Sequence, residues 1–124
     1  MEKEFIPFEL ALKMKQLGFD EPCMYYVDEQ NNSFIYNFQT HPDEFIEWCG
    51  VTVISTPLFQ QAFRWFREKY QLHSTITSIS QESWQWHITK PGESLGKMYQ
   101  EDFYTYEEAE LACLVKLIDI VENK

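Results

Sequence analysis

The feature that most constrains the fold is a run of apolar side chains with helical spacing between residues 59 and 70. Its members are Phe59, Ala62, Phe63, Phe66 and Tyr70, at i, i+3, i+4, i+7 and i+11. This spacing places them on one side of a helix, and mostly polar residues occupy the other. Thr56 suits the cap of that helix and Pro57 its first position. The segment predicts an amphipathic helix that covers another apolar surface.

Strands that offer such a surface follow directly. Residues 83–89 alternate, so that Trp84, Trp86 and Ile88 face one side of a strand and His87 the other. Thr75–Ile79 is rich in β-branched residues, but its two isoleucines are three apart, which requires a bulge. A turn is predicted at 90–94, and Met98–Tyr104 is the candidate for a third strand.

The first half of the chain has weaker signals. A helix is predicted over Pro7–Leu17, with Gly18 as a left-handed cap. A hairpin is predicted from Met24–Asp28 and Phe34–Gln39, because polar turn residues separate two aromatic-rich segments. Residues 43–49 are predicted to form a short helical turn that ends at Gly50, and Val51–Ser55 a strand or an extended lead-in to the second helix.

The last helix has the clearest beginning, because Thr105 and Glu108 form a capping box. Its apolar residues cover a wide arc, which predicts a helix packed deeply or on two sides. Together these elements predict an α+β fold over a single domain, residues 1–124. It is a two-layer fold, with a mostly antiparallel sheet of four to five strands and three helices mainly on one face, in the order α-β-β-α-β-β-(β)-α.

The sequence also indicates the cellular compartment of the protein and the redox state of its cysteines. No apolar run approaches the roughly 18–20 residues of a membrane span. The amino-terminal residues lack the basic start and apolar stretch of a signal peptide, so we predict a cytoplasmic protein with no membrane partner. The three cysteines, Cys23, Cys49 and Cys113, are an odd set, which favours reduced thiols over a disulfide framework.

The charge is strongly negative and unevenly distributed. The 124 residues carry a formal net charge of −10. Residues 1–55 hold three lysines against ten acids, and residues 101–124 two lysines against seven acids. Residues 56–100 alone are basic, with five cations against three acids. Phosphate backbones repel such a chain unless the basic groups of the middle segment gather on one face.

The histidines, cysteines and acid pairs carry no motif typical of catalysis or of metal binding. His41, His73 and His87 lack the spacing of a metal site, and no residue is placed to activate Cys23 or Cys49 as a nucleophile. Adjacent acids such as Glu107 and Glu108 point about 100° apart on a helix and do not share a site. We therefore predict a protein that is not an enzyme, with no catalytic residues, no metal ligands and no cofactor.

An interaction surface is the remaining candidate site. Trp84 and Trp86 would form a stacking platform for single-stranded nucleic acid if basic side chains lay beside them, but sheet core is the favoured role, because the apolar face of a strand normally packs inward. The candidate surface comprises Arg64, Arg67, Lys69, Trp84, Trp86, His87 and Lys90.

Two resemblances supplement these patterns. Residues Phe5–Pro22, Ser55–Tyr70 and Phe103–Val121 resemble small proteins of phages, prophages and other mobile elements of gut bacteria, a group without an established activity. The order helix, three strands, helix over Pro57–Val121 is similar to that of double-stranded-RNA-binding domains. That family has a basic cluster where this chain has Glu107, Glu108 and Glu110, so the resemblance implies shape more than RNA binding.

Two functions remain open at this point. The first is an accessory protein of a mobile element that binds a protein partner, with an acidic surface that mimics nucleic acid as one form of it. The second is a nucleic-acid-binding module that uses residues 56–100, with Lys97 among its cations.

Overall fold

The chain divides into two compact units, Met1–Phe59 and Gln60–Lys124. The computed structural model describes residues 4–21, 23, 25–30, 34–36, 45–48, 51–90, 93–95 and 103–123. Each unit contains its own antiparallel sheet, so the described strands form two sheets where one was predicted. The α+β class agrees with the prediction, and the single domain over residues 1–124 stays a prediction.

The first unit is a helix with a four-stranded sheet. Its elements are α1 (Phe8–Gln16), β1 (Tyr25–Asp28), β2 (Phe34–Tyr36), β3 (Phe45–Trp48) and β4 (Val51–Thr56). The strand order is β2-β1-β4-β3, and α1 packs against β4. Gly18 follows α1 with φ of 104°, a conformation that favours glycine and that agrees with the predicted cap. The predicted hairpin is confirmed by the pairing of β1 with β2.

The helical turn predicted at 43–49 is wrong, because Phe45–Trp48 is strand β3. It pairs antiparallel with β4, and Phe45 lies opposite Ile54 and Trp48 opposite Val51. Aromatic and β-branched residues favour a strand when a partner is present. The same pairing makes residues 51–56 a strand.

The cap predicted at Thr56 is also wrong, because α2 begins at Phe59 and Thr56 ends β4. The buried Thr56 hydroxyl donates a hydrogen bond to the carbonyl oxygen of Ile6. The Ile6 N–H donates to the Pro57 carbonyl at 3.1 Å, and Phe5 forms a bridge with Leu58. Residues 5–6 and 56–58 are therefore held as extended backbone, and the helix begins after them.

The second unit combines a three-stranded sheet with the later helices. Its elements are α2 (Phe59–Tyr70, all but its first residue in this unit), β5 (His73–Ser80), β6 (Ser83–Lys90), β7 (Glu93–Leu95) and α3 (Tyr106–Glu122). The strand order is β5-β6-β7 with antiparallel pairing, and α3 packs against β5 and β6.

Several predictions for this unit are confirmed. The bulge lies between Ser78 and Ser80. The Glu108 N–H donates to the Thr105 hydroxyl at 3.1 Å, so the capping bond exists. Strand β7 at 93–95 was not predicted and includes two residues of the turn predicted at 90–94. Of the strand predicted at 98–104, residues 98–102 lie outside the described part of the chain, and Phe103 forms a bridge with Trp84.

Candidate interaction surface

The two sides of the second sheet have different environments. Ser74, Ile76 and Ser78 of β5 lie opposite Ile88, Trp86 and Trp84 of β6. Trp86 and Ile88 are buried on this side, and core residues of α3 are buried in the same unit. The opposite side carries His73, Thr75 and Thr77 beside Thr89, His87 and Gln85, and it is largely exposed. The tryptophans therefore belong to the side that packs against α3.

This arrangement removes Trp86 from the predicted stacking platform. Its side chain is only 6% exposed. Trp84 is half-buried, and the Tyr106 ring lies edge-on against it with 5.4 Å between the ring centroids. A nucleic-acid base needs an open ring face on which to stack, so Trp86 has a core role.

The other predicted surface residues are distributed over separate elements. Arg64, Arg67 and Lys69 are all exposed on α2, but Arg67 and Lys69 point to nearly opposite sides of the helix. Arg64 forms an ion pair with Glu68 at 3.8 Å, and the Lys69 ammonium lies 5.1 Å from the Trp65 ring centroid. His87 is on the sheet side opposite Trp86, at the level of Thr75. Lys90 ends β6 opposite Glu93 of β7.

These positions show that the seven predicted residues do not share one face of the sheet. Trp86 is in the core, and His87 is on the reverse side of β6. Two of the α2 cations have neighbours that reduce their availability, a carboxylate for Arg64 and aromatic rings for Lys69. Among the seven residues, Arg64 and Arg67 share one side of α2, because they are three positions apart.

A different surface lies on α3 and was not predicted. Leu111 is 39% exposed and Val115 is 48% exposed, one helical turn apart on the same side of the helix. Exposed carboxylates flank them along that side, at positions 108, 119 and 122. We call Glu108, Leu111, Val115, Asp119 and Glu122 the outer face of α3. It joins an apolar pair to a rim of negative charge.

Aromatic residues extend the exposed apolar area near the start of α3. The N–H groups of Trp84 and Phe103 each donate to the other's carbonyl, at 2.9 and 3.0 Å, and this places Tyr104 beside the β5–β6 turn. A cavity of about 300 Å³ there is lined by Glu82, Ser83, Phe103 and Tyr104. The Tyr104 side chain is 77% exposed. We call Trp84, Phe103, Tyr104 and Tyr106 the aromatic end of the unit.

The inner side of α3 contains a buried carboxylate. Glu110 is buried and accepts a hydrogen bond from the Tyr106 hydroxyl. Burial first, and then the charge and the hydrogen bond of Glu110, raise the pKa of Tyr106. The hydrogen bond supplies Glu110 with a donor, which a buried carboxylate requires. Tyr106 therefore links the aromatic end to the core.

Cys113 lies on the same inner side, one turn beyond Ala109, and is a buried free thiol. Burial raises its pKa to about 12, although a hydrogen bond with the Ser74 side chain acts in the opposite direction. The thiolate is the nucleophilic form of cysteine. At neutral pH Cys113 is a protonated core residue.

Within the described residues, no helix has the length and apolar character needed to cross a membrane, and no three histidine, cysteine or acidic side chains are grouped as metal ligands. Comparison with protein-family models, curated proteins and solved structures finds no match to this chain.

Proposed function

We propose that this protein is a non-enzymatic accessory protein of a phage or other mobile element, and that it binds a basic protein partner through the outer face of α3. The observation that carries the proposal is the exposed pair Leu111 and Val115 within a rim of carboxylates. The resemblance of Phe5–Pro22, Ser55–Tyr70 and Phe103–Val121 to mobile-element proteins supplies the biological setting.

The apolar pair supports contact with a protein. Burying a whole Leu or Val side chain contributes about 1.5–3 kcal/mol. Because Leu111 and Val115 are roughly half-exposed, the remaining area would contribute about 1 kcal/mol for each residue when a partner covers it. A partner with an apolar patch of matching size would gain from covering this surface.

The rim charge specifies the chemistry of that partner. Glu108 lies before the apolar pair along the helix, and Asp119 and Glu122 lie after it; Asp119 also forms an ion pair with Lys116 at 3.8 Å, and Glu107 adds a charge in the first turn of α3. Like charges across an interface are unfavourable, whereas complementary charges raise the association rate and select among partners. The expected partner surface is apolar at its centre and carries lysine and arginine around it. A protein groove that normally binds nucleic acid carries such positive charge. An acidic surface that occupies the groove would therefore mimic nucleic acid.

The test is site-specific photo-crosslinking in a bacterial lysate. A benzophenone amino acid at position 115 is expected to crosslink to a basic protein, and the same group at Arg67 on α2 serves as the exposed control position. An excess of unlabelled wild-type protein should compete for the crosslink. The double variant Leu111→Asp/Val115→Asp should compete at least about tenfold less well, because about 2 kcal/mol of apolar contact is lost.

Two outcomes would contradict the proposal. One is equal competition by the double variant and the wild type. The other is crosslinking that is the same at positions 115 and 67, since this would show no preference for the outer face of α3.

The alternative function, nucleic-acid binding by residues 56–100, has one observation in its favour, the exposed Arg64, Arg67 and Lys69 on α2. It predicts retardation of RNA or single-stranded DNA in gels at low salt, with affinity that falls steeply as salt rises. Arg67→Glu should abolish that retardation, and Arg67→Lys should preserve it. Absence of retardation at low salt would leave the protein-binding proposal alone.

A further inference from the structure

Strand β5 is an edge of the second sheet. It spans His73–Ser80 and pairs with β6 alone among the described strands. Its outer side therefore presents backbone N–H and C=O groups that no described strand uses. Six of its eight residues are exposed, namely His73, Thr75 and Thr77–Ser80. Such an edge is a template for an additional strand.

The sequence of β5 lacks most of the features that protect edges in natural sheets. Residues 71–81 contain no Lys, Arg, Asp, Glu, Pro or Gly, although 24% of the chain is charged. Proteins usually block an edge strand with a charge, a proline, a bulge or a very short length. Here the bulge between Ser78 and Ser80 is the one such device within the strand. The six residues His73–Ser78 precede the bulge and contain no such protective device.

We propose that β5 pairs antiparallel with β5 of a second copy of this chain, which joins two second sheets into one. The absence of charged side chains in β5 makes this occupant possible. Two molecules of net charge −10 repel each other, and an uncharged strand allows backbone contact without placing carboxylates face to face.

The side chains of β5 are also compatible with themselves. A two-fold axis through Ile76 places the two Ile76 residues opposite each other on the side that faces α3. On the exposed side, Thr75 then lies opposite Thr77 of the second copy, and Thr77 opposite Thr75. Branched apolar pairs and threonine pairs are favourable neighbours across antiparallel strands. One register thus satisfies both sides of the joined sheet.

The size of this contact sets the expected strength. Stable interfaces bury at least about 1,200 Å² in total, and one pair of six-residue segments supplies less than this. The dimer is therefore reversible and depends on concentration. It leaves the outer face of α3 on each copy as a separate surface.

The test is sedimentation equilibrium of the full chain over a concentration range of about 1 µM to 1 mM, where weak dimers form and dissociate. The wild type should approach twice its monomer mass at the upper end. Thr77→Lys should weaken dimerisation at least tenfold, even though it lowers the net negative charge. Thr89→Lys is the matched control, because Thr89 is exposed on the same side of the sheet but lies in the central strand β6. It should dimerise like the wild type.

Hydrogen exchange provides a second measurement that locates the contact. The backbone amides of residues 73–78 should gain protection as concentration rises, and Thr77→Val, which preserves strand propensity, should show the same gain. A wild type that stays monomeric, equal weakening by Thr77→Lys and Thr89→Lys, or protection elsewhere would overturn the proposal. If β5 pairs instead with a strand of another protein, the purified chain should sediment as a monomer in this assay. Crosslinking at position 115 should be unchanged in Thr77→Lys, so the two proposals can fail separately.

Discussion

Leucines at positions 111 and 114 of α3 offer a direct test of which side of this helix faces the core. The perturbation is the same in both variants, Leu111→Ala and Leu114→Ala. Leu114 is 0% exposed and Leu111 is 39% exposed. Both residues lie in the interior of one helix, so the change in helix propensity is shared. A difference between the variants therefore reports burial.

The expected magnitude follows from the packing of each side chain. Leu→Ala at a buried site removes transfer free energy and leaves a cavity, so Leu114→Ala should lower the free energy of unfolding by about 3–4 kcal/mol. Leu111 already contacts water, and Leu111→Ala should lower it by less than about 1 kcal/mol. Since a domain is stable by about 5–15 kcal/mol, the first loss is a large fraction of the total.

Urea titration followed by circular dichroism and tryptophan fluorescence measures both values. The m-value should be equal in the two variants and in the wild type, because the surface exposed on unfolding is nearly the same. Comparable losses for the two variants would refute the assignment of Leu111 to an exposed side. The proposed outer face of α3 would then lose its apolar centre.

Two further predictions concern α3. Thr105→Ala should lower the free energy of unfolding by about 1 kcal/mol in the same titration, because the Glu108 N–H loses its acceptor. Thr105→Ser keeps a hydroxyl at this position and should retain most of that stability. Equal losses in the two variants would show that the hydroxyl has no capping role. Burial raises the pKa of Cys113 to about 12 from the ordinary value of 9.0, so the folded protein holds this proton more tightly than the unfolded chain does. The contribution of Cys113 to stability should therefore be fully present below pH 9 and fall as pH rises from 9 towards 12. Cys113→Ala should show a shallower decline in chemical unfolding at high pH, and identical slopes would exclude the thiol as the cause.

The sequence predicted correctly those features that depend only on residues close together in the chain. The capping bond needs only Thr105 and Glu108, which are three residues apart. The alternation of Trp84, Trp86 and Ile88 identifies a strand because its period is two. Gly18 marks the end of α1 through its own backbone conformation.

Errors occurred where distant residues determine the structure. Phe45–Trp48 is a strand because β4 pairs with it, and neither segment contains that information alone. Thr56 and Pro57 have the sequence of a helix start, yet the partner of the Thr56 hydroxyl is Ile6, fifty positions away. Local propensity is a weak guide when tertiary contacts compete with it.

The candidate surface also depends on tertiary contacts. Periodicity assigns Leu111 and Leu114 to one broad apolar arc, and only the position of the sheet decides which of them is covered. The tryptophans suit stacking by residue type, but sheet core was the favoured interpretation, and Trp86 does lie in the core. Charge alone indicated correctly that the carboxyl-terminal helix is acidic.

The bridge between Phe5 and Leu58 has a consequence for how this chain matures on the ribosome. Residues 5 and 6 leave the ribosome about fifty residues before their backbone partners 57 and 58, so this contact forms only after the rest of the first unit has been synthesised. Deleting the opening half-dozen residues would accordingly strip the Thr56 hydroxyl of its acceptor and disturb a region far along the polypeptide.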